Sequence, residues 1–138
     1  MKCFRWIPLA LFLCANSLHA APFTYANSTV LPAVQVIDNA TNTVVKPISL
    51  GAKAATKAVA TEDGTLVFVG DVTGKINVID TQSNTVIGTI ALPSQALPFD
   101  LALSPNGNTL FVSLVNGSVV LVNAVSPFLP PLQVPVSY

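Results

Sequence analysis

A 43-residue step governs this chain. Residues 58–80 (AVATEDGTLVFVGDVTGKINVID) align without a gap on residues 101–123 (LALSPNGNTLFVSLVNGSVVLVN). At that offset Gly64 falls on Gly107, Phe68 on Phe111, Val69 on Val112 and Gly74 on Gly117, with Asp63 on Asn106 and Asp80 on Asn123. A third copy lies upstream: AVQVIDNATNTVV (33–45) matches KINVIDTQSNTVI (75–87), and Asp38 falls on Asp80 at a step of 42. Ahead of it TYANS (24–28) takes the place of VFVGD (67–71). Equivalent units should adopt equivalent structure, and a period of roughly 40–45 residues is that of four-stranded propeller blades.

The residues within a unit agree. Leu66–Val69 is a continuous apolar run, while Lys75–Ile79 and Ser118–Val122 alternate or stay β-branched, as strands do. Glu62-Asp63-Gly64 and Ser104-Pro105-Asn106-Gly107 are hairpin signals, because Pro presets the first turn dihedral, Asn tolerates the left-handed region and Gly supplies positive φ. Thr81–Asn84 makes a second polar turn. Ala52–Ala60 is Ala-rich enough for a helix, but its counterpart at 95–103 carries Pro98, so a strand is expected in both. The expected fold class is therefore all-β, with about three four-stranded antiparallel β-propeller blades in an incomplete, open propeller. The blade units run over about 22–50, 51–92 and 93–138. Strands A to D of unit two are expected at 56–61, 65–70, 75–80 and 85–91. Those of unit three are expected at 99–104, 109–114 and 118–123, with a Pro-rich remnant of D at 129–136. Unit one has only B, C and D.

Residues 1–20 (MKCFRWIPLALFLCANSLHA) read as a signal peptide that is cleaved on secretion. Lys2 and Arg5 form the positive n-region, Ile7–Ala15 the apolar h-region, and Ala20 and Ala21 the processing point. The alternative is a short uncleaved anchor, although the apolar run falls well below the ~20 residues that span a bilayer. Cys14 follows Leu13 rather than the small residue a lipoprotein signal needs, so lipidation is not expected. Cleavage removes both cysteines and the only His, Trp, Met and Arg. What remains is mildly acidic, four Lys against five Asp and one Glu, and holds no disulfide.

That subtraction bounds the chemistry. Without His or Cys there is no Ser-His-Asp or Cys-His nucleophile, no Cys/His zinc site and no His-, Met- or Cys-ligated haem. Without Arg there is no bidentate clamp for phosphate or carboxylate. The whole chain is 51% hydrophobic and 9% charged with a formal net charge of zero, too apolar for disorder and without a basic field for nucleic acid. No catalytic residue, metal ligand or cofactor is expected.

The strings LALSPNG (101–107), TYANS (24–28), VIDNATNTVV (36–45) and VIDTQSNTVI (78–87) carry a family resemblance. They resemble the YVTN-type β-propeller repeats of exported and surface proteins of bacteria and archaea, over about residues 22–125. Two departures stand out: TEDG (61–64) in place of Ser-Pro-Asp-Gly, and Ser126–Pro131 in place of the last Asn-Thr-Val-Val segment. The resemblance implies a scaffold, sensor or binding domain in the periplasm, in the secreted fraction or on the cell surface. Related propellers include lactonases and quinoprotein-like enzymes, but none of their metal or cofactor residues carries over to positions here.

Closure is the difficulty. A propeller of four or more blades needs more residues than three units supply. Three readings follow: the chain is a piece of a longer or split propeller, it pairs with other copies or a second chain to close a ring, or it is an open arc with bare apolar faces. An outer-membrane barrel is an alternative use of the same strands, but strands of five or six residues fall short of the 9–11 needed.

Lys57 and Asp100 hold the same place in successive units, just before strand A, the innermost strand of such blades. Both are candidates to bind a small polar ligand at the channel mouth, or else form a paired rim. Asp38 and Asp80 read as turn-stabilising acceptors, since no Asp-x-Asp-x-Asp calcium cluster appears, and Asp71–Gly74 reads as a B–C turn. Phe68 and Phe111 are expected as core between blades. Asn27-Ser28-Thr29, Asn39-Ala40-Thr41 and Asn116-Gly117-Ser118 match the glycosylation pattern and read here as turns. The expected function is an exported, non-enzymatic protein-binding or structural module with no span in the mature chain. It would bind through its D–A and B–C loops near 51–56, 71–74, 92–98 and 114–117. The alternative is a truncated piece of a lactonase-like or quinoprotein-like propeller enzyme whose catalytic residues lie outside this chain.

Overall fold

The computed structural model describes residues 23–51, 53–93 and 96–134. The leader read at 1–20 and the end of the last expected strand lie outside them. Eleven strands follow in chain order: β1 (Phe23–Asn27), β2 (Ala33–Asp38), β3 (Thr43–Ser49), β4 (Ala55–Ala60), β5 (Leu66–Asp71), β6 (Lys75–Asp80), β7 (Thr85–Ala91), β8 (Pro98–Leu103), β9 (Thr109–Leu114), β10 (Val119–Asn123) and β11 (Leu132–Val134). They form three antiparallel meanders, β1-β2-β3, β4-β5-β6-β7 and β8-β9-β10-β11. The fold is all-β, in blades that do not close into a ring. Both Ala-rich β4 and its counterpart β8 are strands, so the Pro98 argument holds.

Turn chemistry explains the spacing. Gly64 and Gly107 take φ of 69° and 70° in the A–B turns, a region closed to most side chains. Asn42 and Asn84 take φ of 54° and 52° at the last place of the C–D turns, where Asn is tolerated. Carboxylates and amides tie the turns to their own backbone. Asp38 Oδ1 accepts from Ala40 N, Asp80 Oδ2 from Ser83 N and Oγ, Asp63 Oδ1 from Thr65 N, and Asn106 Oδ1 from Asn108 N. The expected turn roles of Asp38 and Asp80 are these bonds.

Residues directly opposite in a ladder share a face, so the register assigns each side chain. Val67, Val69 and Ile79 of sheet two face Val34, Val36 and Ile48 of sheet one. Phe68, Ile76, Val78 and Ile90 point the other way, onto Leu101, Leu110, Val112, Val120 and Val122 of sheet three. Sheet two is thus apolar on both faces and buried on both. Each such side chain contributes about 1.5–3 kcal/mol by leaving water.

One expectation fails here. Phe68 is fully buried, but its counterpart Phe111 is 40% exposed. The face that bears Phe111 points away from sheet two, and no described sheet lies on it.

Candidate functional site

An antiparallel meander sends its B–C and D–A connections to one end of the blades and its A–B and C–D turns to the other. At the first end the loops are laced together within each unit. Val72 N donates to Ala54 O, Val115 N to Leu97 O, Leu92 N to Gly74 O and Leu50 N to Pro32 O, at 2.9–3.1 Å, and Ala55 N donates to Ser28 O of sheet one at 3.3 Å. A buried polar knot stiffens this end. Asp71 and Asn77 are buried, and Asp71 accepts from Thr73 N (2.7 Å), Thr73 Oγ1 (2.6 Å) and Asn77 Nδ2 (3.0 Å). Burial works against its charge, yet these bonds and the nearby charge of Lys53 outweigh it and hold the carboxyl below the ordinary Asp range. Beneath it, Gly70 is clamped: a Cβ there would lie 2.7 Å from Thr56 Oγ1 and 2.8 Å from Pro98 Cγ.

Lys57 and Asp100 lie within the inner strands β4 and β8 rather than just before them, because both strands begin two residues earlier, and they come together with Nζ to Oδ1 at 3.5 Å and both side chains more than half exposed. The two candidate residues therefore face each other across adjacent blades as a rim pair. An exposed pair of this kind contributes little to stability.

The loop end also exposes several apolar side chains. Val30 (85% exposed) and Leu31 stand in the B–C loop of sheet one, Val72 and Val115 (61%) at equivalent places in sheets two and three, and Leu97 and Phe99 (70%) at the start of β8. Scattered exposed apolar residues are ordinary, but this set recurs at one end and at matching positions of successive units. The loop positions were legible in the sequence; their shared apolar character was not, because it emerges only when three units stand side by side.

The opposite end differs in kind. Among the described residues, Asp38, Glu62, Asp63 and Asp80 lie there without a lysine beside them, whereas Lys53, Lys57 and Lys75 lie towards the loop end together with Asp71 and Asp100. Hydrogen bonds from Thr61 and Thr65 hold Asp63 below the ordinary range, and those from Ser83 do the same for Asp80. A cleft of about 470 Å³ opens between the A–B turns of sheets two and three, with Glu62, Asp63, Asn106 and Asn108 among its walls. Sequence reasoning missed it, since it is formed by two turns 43 residues apart. Among the described residues no group of three or more His, Cys, Asp or Glu is placed to hold a metal ion, and no helix is long and apolar enough to cross a membrane.

Solved structures similar to this chain are propellers. Kuenenia stuttgartiensis hydrazine synthase matches 83% of the chain with a TM-score of 0.74 at 17% identity, over 33% of its own chain. The β-propeller domain of Myceliophteria thermophila Cps50 (Swd1) matches 82% with a TM-score of 0.69 at 18% identity, over 34% of its own chain. At such identities the likeness is one of fold, and this chain spans about a third of the length of either structure. No family model and no curated protein matches the chain.

Proposed function

We propose that this chain is an exported, non-enzymatic β-propeller module of the YVTN type that binds a protein through its D–A and B–C end. The observation that carries the reading is the apolar set of Val30, Leu31, Val72, Leu97, Phe99 and Val115 on loops that are hydrogen-bonded to their neighbours within each unit. Pre-ordered loops lose little entropy on binding, and exposed apolar side chains at one end supply the surface to be buried. The positive n-region, apolar h-region and small residues of 1–20 support export to the periplasm or cell surface. The absence of His, Cys and Arg from residue 21 onward supports a role without nucleophilic or phosphate chemistry.

The test is site-directed photo-crosslinking of the full chain in its native host. A photo-reactive amino acid at Val72 or Val115 is expected to give discrete protein adducts, and the same group at Thr41 or Gln82, on the opposite turns, none. Equal labelling at both ends, or turnover of a small molecule by the purified chain, would overturn the reading. Export is checked separately, by a new N-terminus at Ala21 in the secreted or periplasmic fraction.

A further inference from the structure

The outer faces of sheets one and three, which no described sheet covers, support an inference that does not depend on what binds the loops. Sheet three repeats the face with which sheet two covers its neighbour. Phe111, Val119 and Leu121 stand 43 residues after Phe68, Ile76 and Val78. The register sets them on one side, and Leu132 and Val134 of β11 extend it. In sheet two these positions are fully buried; in sheet three Phe111, Leu132 and Val134 are exposed.

Sheet one bears the opposite kind of face. Ile37 and exposed Val44 stand where sheet two has Ile79 and Val86, on the side that receives a preceding blade. On β1, Thr24 and Ala26 replace Val67 and Val69, so this face is shallower at the two places where the received ring and aliphatic chains would press. The bare faces are thus a projecting side and a receiving side. Like does not fit like, and a contact between them is heterologous.

We infer that a second copy of this chain covers both faces, sheet three of each copy packing on sheet one of the other, so that two copies close a ring of six blades. The contacts between sheets one and two and between two and three already show this interface twice within the chain, and the intermolecular one continues the same step. Six blades lie within the roughly four to eight of closed propellers. A heterologous contact that failed to close would instead propagate into open filaments.

The full chain at about 50 μM is expected to show twice the mass of the single polypeptide by light scattering and sedimentation. Phe111→Asp on one face and Ile37→Asp on the other each place an unpaired charge in the contact and should weaken self-association on the order of 100-fold, leaving single copies. Mixing the two variants leaves one sheet-three/sheet-one pair intact, so the two-copy mass should partly return. If either variant loses its β-sheet spectrum, Leu132→Lys and Val44→Lys probe the same faces from exposed positions. A single-copy mass for the unaltered chain, a mass of three or more copies, or a two-copy particle that both variants leave intact would overturn the inference.

Discussion

Asn42 and Asn84 occupy the same step of successive units and the same left-handed conformation, yet they differ in what they hold. Asn84 Oδ1 accepts from Tyr25 Oη at 2.7 Å, tying sheet one to the C–D turn of sheet two. Burial and the charge of Asp80 raise the Tyr25 hydroxyl above its ordinary range and keep it a donor. Asn42→Gly preserves the backbone conformation and should change stability by less than ~0.5 kcal/mol. Asn84→Gly should cost about 1 kcal/mol more, the worth of the lost bond, in urea titrations of the two variants. The buried carboxylate makes a pH prediction. Asp63, Asp71 and Asp80 are all held below the ordinary Asp range in the fold. The unfolded chain therefore takes up protons first, from about pH 4 downward. Stability is fully present above that pH and is lost as pH falls through the lowered folded values. Asp71→Asn should make the acid limb of a stability-against-pH curve shallower and lower the plateau at neutral pH by about 1–3 kcal/mol, because the oxygen that accepts from Asn77 Nδ2 becomes an amide NH2 and sets donor against donor in a buried place.

The elements were legible because the repeat compares each strand with its counterpart. Pro98 decided β4 as well as β8, and the Asn-Thr-Val string fixed the C–D turns through one left-handed Asn. Lys57 and Asp100 were legible as a pair for the same reason, the 43-residue step. What stayed hidden depends on packing between units. Asp71 reads as an ordinary turn residue, and nothing local shows that it is buried with Asn77. Phe111 reads as core because Phe68 is, and its exposure follows only from there being no sheet beyond it. Phe128, in the segment that replaces the last C–D turn, folds back over Gly88 of β7 in sheet two, a contact no periodicity announces. Two glycines then part company. Gly70→Ala collides with a proline ring and the buried hydroxyl of Thr56 and should cost about 1–3 kcal/mol as an overpacked core site. Gly88→Ala meets the exposed Phe128 ring, which can swing aside, and should cost less than 1 kcal/mol. Thermal melts of the two variants make the comparison, and equal losses would contradict the assigned packing.

At the scale of the whole molecule, sheet two is the keystone. Among the described residues it is covered on both faces, while sheets one and three are each covered by another sheet on one. Charge is uneven along the blades as well, with four carboxylates at the turn end and three lysines with Asp71 and Asp100 towards the loop end. The exposed apolar side chains of the loop end and the lateral faces that no described sheet covers are separate surfaces, which lets a ring form without obstructing the rim. The account stands on stacking between units that are 42–43 residues apart, and nuclear Overhauser contacts read that stacking directly. The Phe68 ring and the Ile76 and Val78 methyls should show cross-peaks to methyls among Leu101, Leu110, Val112, Val120 and Val122, and Val67, Val69 and Ile79 should show them to Val34, Val36 and Ile48. A spectrum in which these side chains contact only residues of their own unit would contradict the account.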